Sequence, residues 1–339
     1  MLKIEIIKLI FFLIIINLSI YFFFSYIENY YNIFDHPDKI RKFHARKISV
    51  LGGLLIYFNI LTSTLFLYIL GINEFLFSFS EFKFFIFLFF LSIMFFLGLY
   101  DDKFTIYPNN KLIILSVILL CFFLLFPQFL VNEIKFSFLQ TTIQLKSFSL
   151  IFTIICFLLF INAFNMLDGI NFQVGFYTII NLLYFFIFKS DLFFLTIISI
   201  SVVFYLFLNY KQKTFLGDGG SYLLSFILAC FFLNKYNSNS IYADNILIFM
   251  LYPGLEIIRL FFLRLIKNKH PFSADRNHLH HYLIKKIGFL KTFLSIQILI
   301  FLPIIFFSFD LKIFAFLFGI LSYFLIVLIC NLKAFLKNN

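Results

Sequence analysis

Apolar runs recur along almost the whole chain, at residues 4–27, 50–70, 84–100, 111–126, 147–166, 172–188, 191–208, 220–233, 245–266, 291–308 and 312–330. Crossing the hydrocarbon core of a bilayer takes about 20 apolar residues in a helix. Inside lipid each backbone N–H and C=O must be satisfied within its own segment, so helices are what such runs form. The sequence therefore predicts an all-α polytopic membrane protein with eleven candidate helices. The run at 220–233 is short and the turns at Lys189 and Asp310 are tight, and losing one crossing there would leave ten and invert every later loop.

With 63% hydrophobic and 13% charged residues, a soluble globular domain and a disordered chain are both excluded. The first run opens with Lys3, Glu5 and Lys8 and no small-residue cleavage site follows it, so it is expected to be a retained helix. We expect one integral membrane domain over residues 1–339, with the motifs at 35–282 and two transmembrane helices plus a short tail at 291–339. Cys121, Cys156, Cys230 and Cys330 stand singly in apolar runs, which is neither a metal-ligand spacing nor a disulfide framework.

A net charge of +11 in a soluble protein would point to nucleic acid; here the positive-inside rule accounts for it, and no nucleic-acid partner is expected. If the loops after odd-numbered helices share one side, only Lys3, Lys8, Lys83, Lys135, Lys146, Lys189, Lys235 and Lys312 of the 27 basic residues fall on the other. The basic side is then cytoplasmic. It also holds all six histidines and Asp101, Asp102, Asp168 and Asp218. On the opposite, periplasmic side, the alternating stretch VNEIKFSFLQTTIQLKS predicts a small β-hairpin of structural use.

Five cytoplasmic segments carry chemistry. RKFHARKISVLGG brings Lys42, His44 and Arg46 up to two glycines at a helix start, where cations and backbone N–H groups suit a phosphate; a purely topogenic basic loop is the plainer reading. Asp101 and Asp102 are adjacent at a helix end, where lipid-facing carboxylates would each be penalised by about 2.5–3.5 kcal/mol. As a pair they suit Mg²⁺, which completes its shell with substrate phosphates. Asn162, Asn165 and Asp168 recur every three residues and so line one side of a helix, with the amides suited to a base or sugar. In KTFLGDGGS the glycines around Asp218 permit close approach of a ligand. HPFSADRNHLHHYLIKK gathers Arg276, His278, His280 and His281, whose spacing fits phosphate contacts better than zinc. Pro253 and Gly254 interrupt the ninth run, followed by Glu256 and Arg259 three apart, either a kink with a neutralising pair or a break opening a cavity.

Taken in order, these motifs resemble the polyprenyl-phosphate N-acetylhexosamine-1-phosphate transferase superfamily. A basic segment ending in Gly-Gly, a membrane-edge Asp-Asp, Asn-x-x-Asn-x-x-Asp-Gly, Gly-Asp-x-Gly-Ser and a late His cluster are all present. PFSADRNHLHH is similar to the bacterial branch that uses UDP-N-acetylglucosamine or a related sugar to start O-antigen, common-antigen or teichoic acid assembly. The muramoyl-pentapeptide branch has a consecutive His run instead. Asn171 and Phe172 replace an Asp and a Gly common in the superfamily, and Ser49 replaces a frequent proline.

The resemblance implies a Mg²⁺-dependent enzyme, with Mn²⁺ as a substitute ion, that moves sugar-1-phosphate from a UDP-sugar to polyprenyl phosphate in the bacterial inner membrane, as a homodimer. It assigns metal binding to Asp218 with Asp101 or Asp102, and catalytic roles to Asp101, Asp102, Asp168, His278 and His280. Substrate contacts fall to Lys42, His44, Arg46, Asn162, Asn165, Arg276 and His281. The competing readings are the muramoyl-pentapeptide transferase, a transporter of lipid-linked sugars and an inactive paralogue. A transporter's ionisable groups belong near the bilayer midplane, whereas here every singled-out acid except Glu256 lies at one interface.

Overall fold

The computed structural model describes residues 2–35, 47–72, 76–139, 141–268 and 277–335. In chain order the elements are α1 (Leu2–Tyr31), β1 (Phe34–Asp35), β2 (Ile48–Ser49), α2 (Gly52–Ile69), α3 (Glu81–Phe104), α4 (Pro108–Leu125), β3 (Glu133–Ile134), β4 (Ile143–Gln144), α5 (Ser149–Leu167), α6 (Gln173–Phe186), α7 (Leu192–Tyr210), α8 (Gly217–Asn237), α9 (Ala243–Phe249), α10 (Leu251–Ile266), α11 (Leu279–Ile287), α12 (Phe289–Ser308) and α13 (Lys312–Phe335). All eleven apolar runs are helical, the ninth as the pair α9 and α10. Among the described residues eight helices are long and apolar enough to cross a membrane, or nine if that pair is one span. The two runs outside this set are α6, with 14 residues, and α8, which opens on the polar turn Gly217-Asp218-Gly219-Gly220. Phe22, Phe82 and Ile313 are each more than two-thirds exposed, as lipid-facing positions are.

The chain divides into two compact units, Met1–Ile106 with Val174–Phe231 and Tyr107–Gln173 with Phe232–Asn339. In the first, α2 packs on α1 and on α7, and Ile20, Phe24, Leu55 and Leu208 form a buried cluster. A polar contact joins α1 and α2 within the apolar interior: Asn59 Nδ2 donates to Asn17 Oδ1 at 2.8 Å. Strand β2 pairs antiparallel with β1, and Ser49 also bridges in parallel to Thr214.

In the second unit α4 and α10 pack on α5, and α12 packs on α13. The predicted hairpin is present but brief, with Glu133 opposite Gln144 and Ile134 opposite Ile143. Buried Asp244 holds it, accepting from Ser137 N at 2.9 Å and Ser137 Oγ at 2.5 Å. Tyr236 Oη accepts from Lys135 N and donates to the Glu133 carbonyl. The break in the ninth run falls at Met250, where α9 and α10 bend by 71°. Pro253 lies in the first turn of α10; its ring lacks an N–H and excludes the carbonyl of Phe249, so the helix restarts instead of continuing.

Candidate functional site

In the first unit the acids of α3 and the turn leading into α8 are joined across more than a hundred residues. Asp102 Oδ1 accepts from Asp218 N at 2.9 Å and its Oδ2 from Gly219 N at 3.1 Å. Backbone N–H groups of a first helical turn have no intrahelical acceptor and sit at the positive end of the helix dipole, so a carboxylate there is doubly favoured. Asp102 thus caps α8 from a distant helix and fixes where Asp218 stands. Asp101 is buried; its Oδ1 accepts from Ile106 N at 2.7 Å and its Oδ2 from Tyr222 Oη at 3.3 Å.

Two expectations about glycines change. Gly52 N and Gly53 N donate to the carbonyls of Phe215 and Leu216, both at 2.9 Å, so these N–H groups stitch α2 to the segment before Asp218 and are not aimed at a phosphate. The glycines after Asp218 serve packing: a Cβ on Gly219 would lie on Leu99 and Phe95, and one on Gly220 on Leu216 and Gly53. Thr214 and Ser49 complete the seam, Leu51 N donating to Thr214 Oγ1 and Ser49 Oγ to the Lys213 carbonyl.

Gly98 on α3 is one of the closest points of this packing. A Cβ there would sit 2.4 Å from the Asp218 carbonyl oxygen and 2.5 Å from Gly219 N, both rigid backbone. Gly98→Ala is expected to destabilise the protein by about 1–3 kcal/mol through overpacking and to lower activity by displacing Asp218. Thermal unfolding and turnover measure the two effects; an unchanged midpoint with full turnover refutes this.

In the second unit the histidines surround a buried ion pair. Glu256 Oε1 accepts from Arg259 Nη2 at 2.7 Å and from Leu279 N at 2.9 Å; its Oε2 accepts from Arg259 Nε at 3.1 Å and Tyr323 Oη at 2.5 Å. Arg259 Nη2 also donates to the Asn277 carbonyl at 2.7 Å, and His278 Nδ1 lies 3.8 Å from Glu256 Oε1. The pair therefore clamps the start of α11. His278 stacks on His280 with ring centroids 5.1 Å apart, and His280 lies 4.3 Å from His281. His278 and His281 are half-buried, while His280 is only 5% exposed, which takes it away from the direct phosphate contact expected of it.

Asp168 caps the C-terminus of α5, and Asn162 Nδ2 donates back to the Leu158 carbonyl at 2.8 Å. Asn162, Asn165 and Asp168 are all half-buried. Gly169, next in the chain, abuts the His280 ring: a Cβ would lie 2.3 Å from Cε1. The Asn-x-x-Asn-x-x-Asp-Gly motif and the His cluster, about 110 residues apart in sequence, are thereby brought together.

Burial, then the neighbouring His278, His281 and Arg259, hold the His280 imidazole well below the usual histidine range. Unfolded histidine takes up a proton near pH 6.5, whereas folded His280 resists until lower pH, so below that point the unfolded chain binds more protons and stability falls. Above it both states are neutral and the group contributes nothing. The unfolding midpoint is expected to drop between pH 7 and pH 5, and His280→Gln to lessen the drop; a drop of equal size in the variant overturns the assignment.

Lys42, His44, Arg46 and Arg276 lie outside the described residues. Among the described residues no three His, Cys, Asp or Glu side chains are set to hold a metal ion, so Asp101, Asp102 and Asp218 do not form a ready-made cage. Their chemistry still fits a partial hard-oxygen site, since each Asp102 oxygen accepts one N–H and keeps a second lone pair. Tyr323, which donates to Glu256, was missed from the sequence; it reads there as one more residue of an apolar run.

Residues 84–235 match the family described as Glycosyl transferase family 4. The chain is 30% identical over 265 residues to the undecaprenyl-phosphate alpha-N-acetylglucosaminyl 1-phosphate transferase of Thermotoga maritima, covering 77% of this chain and 76% of that protein. It is 26% identical over 268 residues to the protein of the same name from Escherichia coli K12, covering 75% and 70%. For the Salmonella typhi protein of that name the identity is 25% over the same length.

Proposed function

The chain belongs to the polyprenyl-phosphate N-acetylhexosamine-1-phosphate transferase superfamily and is a sugar-1-phosphate transferase acting on polyprenyl phosphate, and from this premise we propose that its donor is a UDP-N-acetylhexosamine, used at the cytoplasmic face with Mg²⁺. The observation that carries the reading is the seating of Asp102 on the amides of Asp218 and Gly219, which unites the acids of two distant segments. A polyprenyl phosphate oxygen attacks the sugar-linked phosphorus. The new P–O bond forms as the bridging P–O bond to the nucleoside phosphate breaks, and the electron pair leaves with UMP. The attacking phosphate is already ionised near neutral pH, so alignment and charge neutralisation matter more than deprotonation.

Asp218, supported by Asp101, would hold Mg²⁺, which supplies neutralisation of phosphate charge when bound. Asp102 keeps Asp218 in place through the main chain. His278 and His281 keep accessible edges and are assigned hydrogen bonds to phosphate oxygens, with Asn162 and Asn165 on the nucleotide or sugar. The product would begin a cell-surface polysaccharide. Purified protein in lipid nanodiscs, given polyprenyl phosphate, Mg²⁺ and a panel of UDP-sugars, is expected to release UMP only when both substrates are present. Failure to release UMP with every sugar would falsify the donor assignment.

A further inference from the structure

Beside His280 lies a cavity of about 10 Å³, lined by Gln173, Tyr252, Glu256 and His280 among apolar neighbours. One water occupies about 10–15 Å³ in such a site and needs two to four polar partners. Two side-chain nitrogens of the lining, Gln173 Nε2 and His280 Nε2, are buried and have no hydrogen-bond partner among the described residues. Gln173 is 1% and His280 5% exposed, so bulk solvent does not satisfy them. Buried donors and acceptors left unmade are strongly disfavoured. The Gln173 amide is oriented by Gln297, whose Nε2 donates to Gln173 Oε1 at 3.3 Å. That leaves the donor end of Gln173 for the cavity.

We propose that this cavity binds one ordered water, which accepts a hydrogen bond from Gln173 Nε2 and donates one to His280 Nε2, making Gln173 a positioning residue that fixes His280 as its Nδ1–H tautomer. A neutral imidazole carries one proton, so a ring that accepts at Nε2 must donate at Nδ1. Glu256, which also lines the cavity, already accepts two hydrogen bonds at each oxygen, so Gln173 and His280 are the two partners of the water. Gly169 closes over the same ring and holds it against rotation. The consequence for catalysis rests on the transferase reading: a neutral His280 of fixed tautomer is a constant packing partner for His278 and His281, the two histidines assigned to phosphate, and brings no charge into a buried site.

The test is nitrogen-15 NMR of histidine-labelled full-length protein in lipid nanodiscs at pH 7.5, with the His280 signals identified by their loss in His280→Gln. Wild-type protein is expected to show a neutral ring protonated at Nδ1, with a water cross-peak to Nε2. Gln173→Leu removes the donor that orients the water and is expected to shift the tautomer ratio toward Nε2–H by about fivefold, the worth of one hydrogen bond. A wild-type ring protonated at Nε2, or doubly protonated, overturns the proposal even if the variant does not fold. An unchanged ratio in a folded Gln173→Leu protein overturns it as well. UMP release assayed on the same sample separates the two readings, since absent turnover with the Nδ1–H tautomer intact would reject the transferase donor and leave the water site standing.

Discussion

Asp218→Asn is expected to lower turnover by about a thousandfold while leaving the protein folded, the loss anticipated when a group that stabilises transferring phosphate charge is neutralised. The fold should survive because the contact that seats this residue is made by its backbone N–H, which donates to Asp102, and an asparagine keeps that N–H. Asp102→Asn should behave differently. Its amide can accept from only one of the two N–H groups now bound, so α8 loses part of its cap and the unfolding midpoint falls together with activity. UMP release and thermal unfolding on both variants distinguish them. A Asp218→Asn protein within tenfold of wild type would remove Asp218 from the phosphate-handling machinery.

Which parts of this architecture could be read beforehand follows from how far each depends on local pattern. Apolar runs report helices directly, because lipid leaves the backbone no other way to satisfy itself, and every run became one. The number of crossings is less directly written: α6 and α8 are helical over the expected residues, yet one is short and the other begins on a polar turn. The hairpin was visible in its alternation, but its two-residue strands are set by Asp244 and Tyr236, residues a hundred positions away.

At the site, residue type was legible and partnership was not. Adjacent aspartates at a helix end announce unusual chemistry, but nothing local says that one of them caps a helix beginning at Gly217. Gly52 and Gly53 look like a phosphate cradle because a helix N-terminus with two glycines often is one. The competing acceptors, the carbonyls of Phe215 and Leu216, become visible only when the chain is folded. The spacing of Glu256 and Arg259 allowed a neutralising pair as one of two readings, and the pair is present, whereas Tyr323, the third member, carries no signal because a tyrosine in a final apolar helix is ordinary.

Glu256→Ala is expected to be the most destabilising of these substitutions, by about 3–5 kcal/mol, because it strands Arg259 as an unpaired buried charge. It also removes the acceptor of Leu279 N and of the Tyr323 hydroxyl, which loosens the start of α11 on α10 although Arg259 still donates to Tyr323 Oη and to the Asn277 carbonyl. Destabilisation and loss of the anchor can be separated. Replacing both charges, as Glu256→Leu with Arg259→Met, removes the stranded charge, and apolar replacement of a whole buried pair is often neutral. The double variant should therefore regain most of the stability lost in Glu256→Ala. It should not regain UMP release, since Leu279 N still lacks its acceptor on α10 and the Asn277 carbonyl now loses its donor there as well. Thermal unfolding and turnover of the two variants decide the matter: a double variant that restores both would mean the pair is needed only for folding, and a single variant as stable as wild type would mean Arg259 reaches water without it.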